Sequence, residues 1–285
     1  MHSHFGAAAA LGSAGLWAFA STRYTATSRT IGSAAVNLTR TLIVLPIFLI
    51  VALFDTHGAL TSGITTVRLA WLAVSVFCSY ALADLIFFAS ARRLGISTAL
   101  AIASSYPLLS SLWGVMINHE PLGIWRALGI VLSVAGLVAL VKLANPSKKS
   151  VHDFRGVLLA IATSILWAGN TISVKNGSTG LSPFQANFFR YLIALPILAL
   201  TVRVVTPQKR PAFRALLFPS IAEAFIGSTL FVFALSNTEL AIGSTLSAMA
   251  PLLAVPFSLM IGEERFHGAR IVAIAVTVCG VILLC

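Results

Sequence analysis

The chain has 285 residues, of which 58% are hydrophobic and only 9% charged, against about 25% charged in soluble domains. Too few side chains suit water to cover a soluble surface, so lipid must solvate most of the exterior. The formal charge of +11, from 19 basic and 8 acidic residues, does not indicate nucleic acid as a partner: the basic residues are scattered through short connections, with no basic domain or stripe, and in a membrane such residues set topology and meet headgroups.

A helix needs roughly 20 apolar residues to cross a bilayer. The apolar runs predict ten spans, at about 5–22, 31–54, 69–90, 96–117, 122–143, 156–174, 184–205, 213–236, 240–262 and 267–285. The opening MHSHFGAAAALG lacks a basic n-region and reads as the first span rather than a cleaved signal peptide. Lipid offers no partner to unpaired backbone groups, and the runs are continuous rather than alternating, so the spans are helices and not barrel strands. The longest basic stretch, Lys142 to Arg155, separates the fifth span from the sixth. Cys78, Cys279 and Cys285 form no CxxC pair and the histidines no cluster, so neither a disulfide framework nor a metal site is expected, and no cofactor is implied.

The two halves repeat. Gly6, Trp17, Asn37, Arg40 and Pro46 recur 150 positions later as Gly156, Trp167, Asn187, Arg190 and Pro196. Pro107, Met116, Glu120, Arg126 and Gly136 recur 144 positions later as Pro251, Met260, Glu264, Arg270 and Gly280. A shortening between the second and third helices of the second copy accounts for the change of offset. The expected organisation is a five-helix repeat over 1–143, a basic linker over 144–155, and a second repeat over 156–285. Five is odd, so the second copy enters the membrane from the other side, an inverted repeat of the kind that supports alternating access around a midplane site.

The first-helix Gly…Trp pattern of each copy, the Arg of each second helix, the fourth-helix Pro followed by Glu (SSYPLLSSLWGVMINHEPL and AMAPLLAVPFSLMIGEERF) and the closing Gly-containing helix together resemble the EamA-type ten-helix members of the drug/metabolite transporter superfamily. Asn118-His119-Glu120 departs from the pattern where the second copy reads Gly262-Glu263-Glu264. The resemblance implies a basket-like all-α bundle with a central cavity, and export or exchange of small metabolites such as amino acids.

Residue by residue, Asp84 and Glu223 are acids well inside spans, where charge costs roughly 2.5–3.5 kcal/mol on insertion scales. They align with Ser228 and Ser79, so neither is repeated. They are expected either to couple protons or bind a cation, or to pair with a helix-borne Arg. Trp17, Trp167, Asn170, Tyr80 and Tyr106 are expected to line the cavity; interfacial anchoring is the plainer reading of the two tryptophans. Pro107 and Pro251 are expected as mid-span hinges, each removing an amide donor, with Ser105 and Ser247 supplying hydroxyls beside them. Arg40 and Arg190 suit a substrate carboxylate, but their duplication favours a structural role; Glu120 and Glu264, at the turn after the fourth helix of each copy, are expected to cap helix ends or pair with Arg126 and Arg270.

The odd-numbered connections hold most of the basic residues, including Arg92, Arg93, Lys148 and Lys149, whereas the even ones hold only Arg68, Arg126 and Lys175. The positive-inside bias then puts both termini outside, while the family resemblance implies cytoplasmic termini. The expected location is the cell membrane, inner or plasma, and the expected partners are lipid and a small solute, in a monomer or homodimer. A membrane-embedded enzyme or a non-transporting subunit is the alternative. No HExxH, GxSxG or Walker motif is present, so no catalytic residue and no direct ATP drive are expected.

Overall fold

The computed structural model describes residues 2–94, 99, 102–144, 153–205, 212–250, 252–253 and 268–284. Pro251 and Glu264, and most of the 144–155 linker, lie outside them. Every regular element among the described residues is helical. In chain order these are α1 (His2–Ile31), α2 (Ser33–Asp55), α3 (Thr66–Val76), a π-helical segment (Phe77–Ala81), α4 (Ala83–Leu94), α5 (Tyr106–Asn118), α6 (Ile124–Ala144) and α7 (Phe154–Ser178). They continue as α8 (Pro183–Val205), α9 (Phe213–Pro219), a second π-helical segment (Ser220–Gly227), α10 (Ser228–Asn237), α11 (Leu240–Ser247) and α12 (Gly268–Leu284).

Among the described residues, five continuous helical stretches are long and apolar enough to cross a membrane: 33–55, 66–87, 154–178, 183–204 and 213–237; 124–139 and 271–283 are shorter apolar helices. The outside of the bundle is oily. Phe54 is 79% exposed and Val204 72%, and Trp125, Leu200, Phe218 and Ile282 are exposed as well, a density of large apolar side chains on the outside that suits lipid. The inside carries much of the polarity: Ser75, Ser110, Thr163, Ser164, Thr171, Asn187 and Arg190 are all buried.

The first helix is longer than its apolar run. The polar stretch after residue 22, expected as a loop, stays helical to Ile31, because it contains neither Gly nor Pro to stop it. Gly32 then ends the helix, with φ at +85°, and its N–H donates to the Ser28 carbonyl at 2.9 Å. Only glycine adopts that backbone cheaply, so α1 and α2 meet with a single residue between them.

The fourth span differs from the expected kinked helix. Ile102 and Ala103 are helical, Ser104 and Ser105 form a turn, and α5 restarts at Tyr106. Pro107 sits in the first turn of the new helix, where its missing N–H leaves nothing unsatisfied. The corresponding place in the second half also breaks, at Ala248 and Met249, after α11. The two π-helical segments likewise occupy matching positions, at 77–81 and 220–227.

Packing couples the halves. α2 lies against α8, α6 against α12, α1 against α10 and α11, and α7 against α3, α4 and α5. Thus the first helix of each half packs on the third and fourth spans of the other. The α6–α12 seam is tight. A Cβ at Gly136 would lie 2.4 Å from Thr277 Oγ1, and one at Gly280 2.4 Å from the Ser133 backbone nitrogen, the close approach that small residues permit between membrane helices.

One end of the bundle is clasped by polar contacts between connections. Gln185 donates to the Leu60 and Ser62 carbonyls at 2.8 and 2.7 Å. Lys175 pairs with Glu120 at 2.9 Å and donates to the Thr238 carbonyl. The Leu240 N–H, at the start of α11, donates to Glu120 at 2.6 Å. Arg126 pairs with Glu239, not with Glu120 as expected; the nearest free acid for it lies across the halves, because Glu120 is already taken by Lys175 and by the end of α11.

Candidate functional site

The spans converge on a central cavity of about 380 Å³, within the size range of small-molecule sites. Both halves contribute walls: Trp17, Tyr24, Asn37, Arg40, Ser79, Tyr80, Asp84, Ser104 and Tyr106 from the first, Trp167, Asn170, Arg190, Glu223, Ser228, Phe231 and Ser247 from the second. The cavity reaches Ser28 and Ser33, on either side of the α1–α2 junction.

Eight of the nine residues expected in a central cavity line it: Trp17, Tyr80, Asp84, Tyr106, Trp167, Asn170, Glu223 and Ser247. The ninth, Ser105, does not. Consecutive side chains in the 104–105 turn diverge, so Ser104 faces the cavity while the Ser105 hydroxyl meets that of Ser164 at 3.0 Å. The Ser247 hydroxyl is buried with no partner among the described residues.

The two acids share one cation. Arg40, 4% exposed, stands with Nη2 at 3.9 Å from Asp84 and Nη1 at 3.6 Å from Glu223. These separations are ionic contacts rather than well-formed hydrogen bonds, and Arg40 Nε has no partner among the described residues. The acids are held by neutral donors instead. The Asn37 amide donates to Asp84 at 2.5 Å, and the Tyr24 hydroxyl to Glu223 at 2.9 Å. The guanidinium also lies over the rings of Tyr80, at 4.8 Å, and Tyr24, at 5.4 Å, a favourable arrangement for a desolvated cation. Arg40 therefore sits in the cavity wall with its guanidinium turned into the bundle, not out along the surface as a snorkelling side chain would be.

Arg190 has different company. Nε donates to the Ser75 hydroxyl at 3.0 Å, Nη1 to Asn187 Oδ1 at 3.0 Å and Nη2 to Asn170 Oδ1 at 3.3 Å. No ion pair among the described residues includes it. Tyr80 stacks on Tyr191 with centroids 5.4 Å apart, and the Tyr191 hydroxyl donates to the Ala224 carbonyl at 3.0 Å within the second π-helical segment. A separate aromatic group, Phe87, Trp167 and Tyr106, forms another wall, with centroids 5.5 and 5.9 Å apart.

Sequence reasoning missed Tyr24 and Tyr191. Tyr24 fell beyond the expected end of the first span, although its place one helical turn from Ser28, in a stretch without Gly or Pro, was the available signal. Outside the membrane-facing region, Asp153 caps α7 by accepting from the Gly156 N–H at 3.1 Å. It also accepts from Arg93 at 3.0 Å, and that bond above all holds its carboxyl below the usual carboxylate range.

Comparison with known proteins adds to this geometry. The sequence model of the EamA-like transporter family matches residues 4–142 and 154–285. A protein of Archaeoglobus fulgidus named as an uncharacterized transporter is 24% identical over 270 residues, covering 94% of this chain and 93% of that protein. A chloroplastic WAT1-related protein of Arabidopsis thaliana is 26% identical, over 75% of this chain and 55% of its own length. A solved crystal structure, 18% identical in sequence, superposes with a TM-score of 0.78 over 99% of this chain and 96% of the other; that likeness is one of fold. With a family match spanning nearly its whole length and an exterior suited to lipid, the chain is a multi-pass membrane protein that belongs to the EamA-like transporter family.

Proposed function

We propose that the protein is a secondary transporter that exports or exchanges small polar or aromatic metabolites across the cell membrane by alternating access. One observation carries this: a charged cavity, walled by both halves, in the middle of a bundle whose outer surface is apolar. Buried charge of this kind in a membrane bundle marks a solute or ion path.

In this reading the chain crosses the membrane ten times, as two oppositely oriented repeats over 1–143 and 156–285 joined by a basic linker. The paired family match, the matching helix breaks and the reciprocal packing of each first helix on the other half support it. Asp84 and Glu223 are the coupling groups, because either can exchange Arg40 for a proton. Trp17, Trp167, Tyr80, Tyr106, Asn170 and Ser247 contact the solute. The breaks beside Pro107 and Pro251 act as hinges, as discontinuous helices do at carrier sites. The basic bias of the odd connections puts the Ser28–Ser33 end of the cavity in the cytoplasm, with the clasped end outside. The unit is a monomer or homodimer.

The test has two stages. Metabolite profiles of cells with and without the protein identify a solute, and flux of that solute into proteoliposomes is then measured with and without a pH gradient. Gradient-driven flux in the wild type, lost in Asp84→Asn or Glu223→Gln, is the expected result. Equal gradient-driven flux in both variants removes the coupling assignment, and no solute flux at all removes the transport reading.

A further inference from the structure

The halves match at their arginines but not at the groups those arginines face. In the first half, Asn37 and Arg40 both address Asp84: the amide donates to it at 2.5 Å and the guanidinium lies 3.9 Å away. In the second half, Asn187 and Arg190 stand in the equivalent places, but the position matching Asp84 is Ser228. The Ser228 hydroxyl is committed to its own helix, donating to the Ala224 carbonyl at 2.6 Å. The consequence is visible on both donors. The Asn187 amide nitrogen is buried with no partner among the described residues. Arg190, 2% exposed, is oriented by three neutral acceptors and meets no carboxylate in ion-pair contact. Each of its terminal nitrogens carries a second N–H without a protein acceptor among the described residues.

A buried guanidinium whose hydrogen-bond acceptors are all neutral, with only the Tyr80 ring 5.5 Å away to face its charge at close range, is costly to keep in a membrane interior unless something anionic arrives. Its fork suits a carboxylate. We infer that Arg190, positioned by Ser75, Asn187 and Asn170, is the specificity residue for a solute monocarboxylate, which takes the place that Asp84 fills for Arg40. This rests on the transport reading and deepens it by naming the charged group of the solute. A single negative charge matches the one cavity guanidinium that has no carboxylate in ion-pair contact among the described residues. A phosphate monoester, at about −1.5 to −2, exceeds it. The aromatic walls of Tyr80 and Trp167 then meet the rest of the solute, so a carboxylate on an apolar or aromatic body fits best.

The test uses the purified full chain in detergent with matched pairs differing only in charge: phenylacetate and phenylacetamide, hexanoate and hexanamide, N-acetyltryptophan and its amide. Binding is read as a ligand-dependent rise in melting temperature. The wild type is expected to bind at least one carboxylate about tenfold or more tighter than its amide, the scale of a close buried charge pair. Arg190→Gln should erase that preference. Should Arg190→Gln fail to fold, Ser228→Asp serves instead, since it supplies the missing carboxylate internally and should abolish the preference while keeping the guanidinium. Wild-type protein that protects no carboxylate better than its amide overturns the inference, as does a preference surviving either folded variant. Neither result touches the transport reading, which stands or falls on solute flux.

Discussion

Arg40→Gln is the most informative single change. Arg40 faces Asp84 at 3.9 Å and Glu223 at 3.6 Å, with the three side chains 4%, 18% and 14% exposed. At an effective dielectric of about 20, each contact is worth roughly 4–5 kcal/mol of attraction, against a desolvation penalty of several kcal/mol per ion. The intact triad therefore contributes little net stability, but removing its only cation leaves two carboxylates facing each other, at a cost of about 3–5 kcal/mol. For a chain of this size that corresponds to a fall of roughly 6–15 °C in melting temperature. The neutral triple variant, Arg40→Gln with Asp84→Asn and Glu223→Gln, keeps the partners of Asn37 and Tyr24 while removing all three charges, and should recover most of the loss. Thermal unfolding of wild type, single and triple variants in one detergent decides the matter. A single variant as stable as wild type, or a triple variant no better than the single, refutes the electrostatic account of the triad.

Three further outcomes are expected. Gly280→Ala places a Cβ 2.4 Å from the Ser133 nitrogen and 2.7 Å from the Gly129 carbonyl, so α6 and α12 must separate, and the melting temperature should fall by the equivalent of about 1–3 kcal/mol. Lys175→Met breaks the contacts with Glu120 and the Thr238 carbonyl; at about 2 kcal/mol for a charge-assisted bond, a cysteine placed at Thr171 should be labelled by maleimide several-fold faster from the clasped face, and an unchanged rate sinks the clasp. Asp153 has a carboxyl pKa lowered by Arg93. Its contribution is thus complete above the ordinary carboxylate value near 3.8 and fades as pH falls through the lower folded value. Asp153→Asn should be less stable than wild type at pH 7, with the gap closing as pH falls below the ordinary carboxylate range; a gap independent of pH contradicts the assignment.

The parts legible in sequence were those that lipid makes expensive. Asp84 and Glu223 stood out because acids are rare inside spans, and pairing with a helix-borne Arg was among the readings of each; that both share Arg40 was not legible, because the three residues come from different helices. The limits of α1 were harder to read. The polar residues after Thr22 resemble a loop by composition, yet polar composition alone does not end a helix, and with no Gly or Pro before Gly32 this one runs on to Ile31; Tyr24 was lost from view as a result. Arg40 was harder still. Duplication suggested equivalent scaffold positions for it and Arg190, but periodicity cannot reveal that one faces two acids and the other faces amides and hydroxyls. The Lys175–Glu120 contact joins residues from different halves, and no local spacing announces it.

The π-helical segments bear on how the chain tolerates insertion and deletion. Leu82 donates to the Phe77 carbonyl at 3.2 Å, a wider ring than an α-helix closes, so one residue more than usual is accommodated there. Each residue of an α-helix advances its side chains by about 100°. Deleting Cys78 would remove that extra residue and let the turn close to ordinary winding with residues 77 and 82 still bonded, so the helix on either side would keep its direction and Asp84 its aim at Asn37. The same deletion a turn away, inside regular α-helix, would instead swing everything beyond it by that angle and carry Asp84 off Asn37. Homologues are therefore expected to lose a residue within this stretch more readily than in the regular helix beside it.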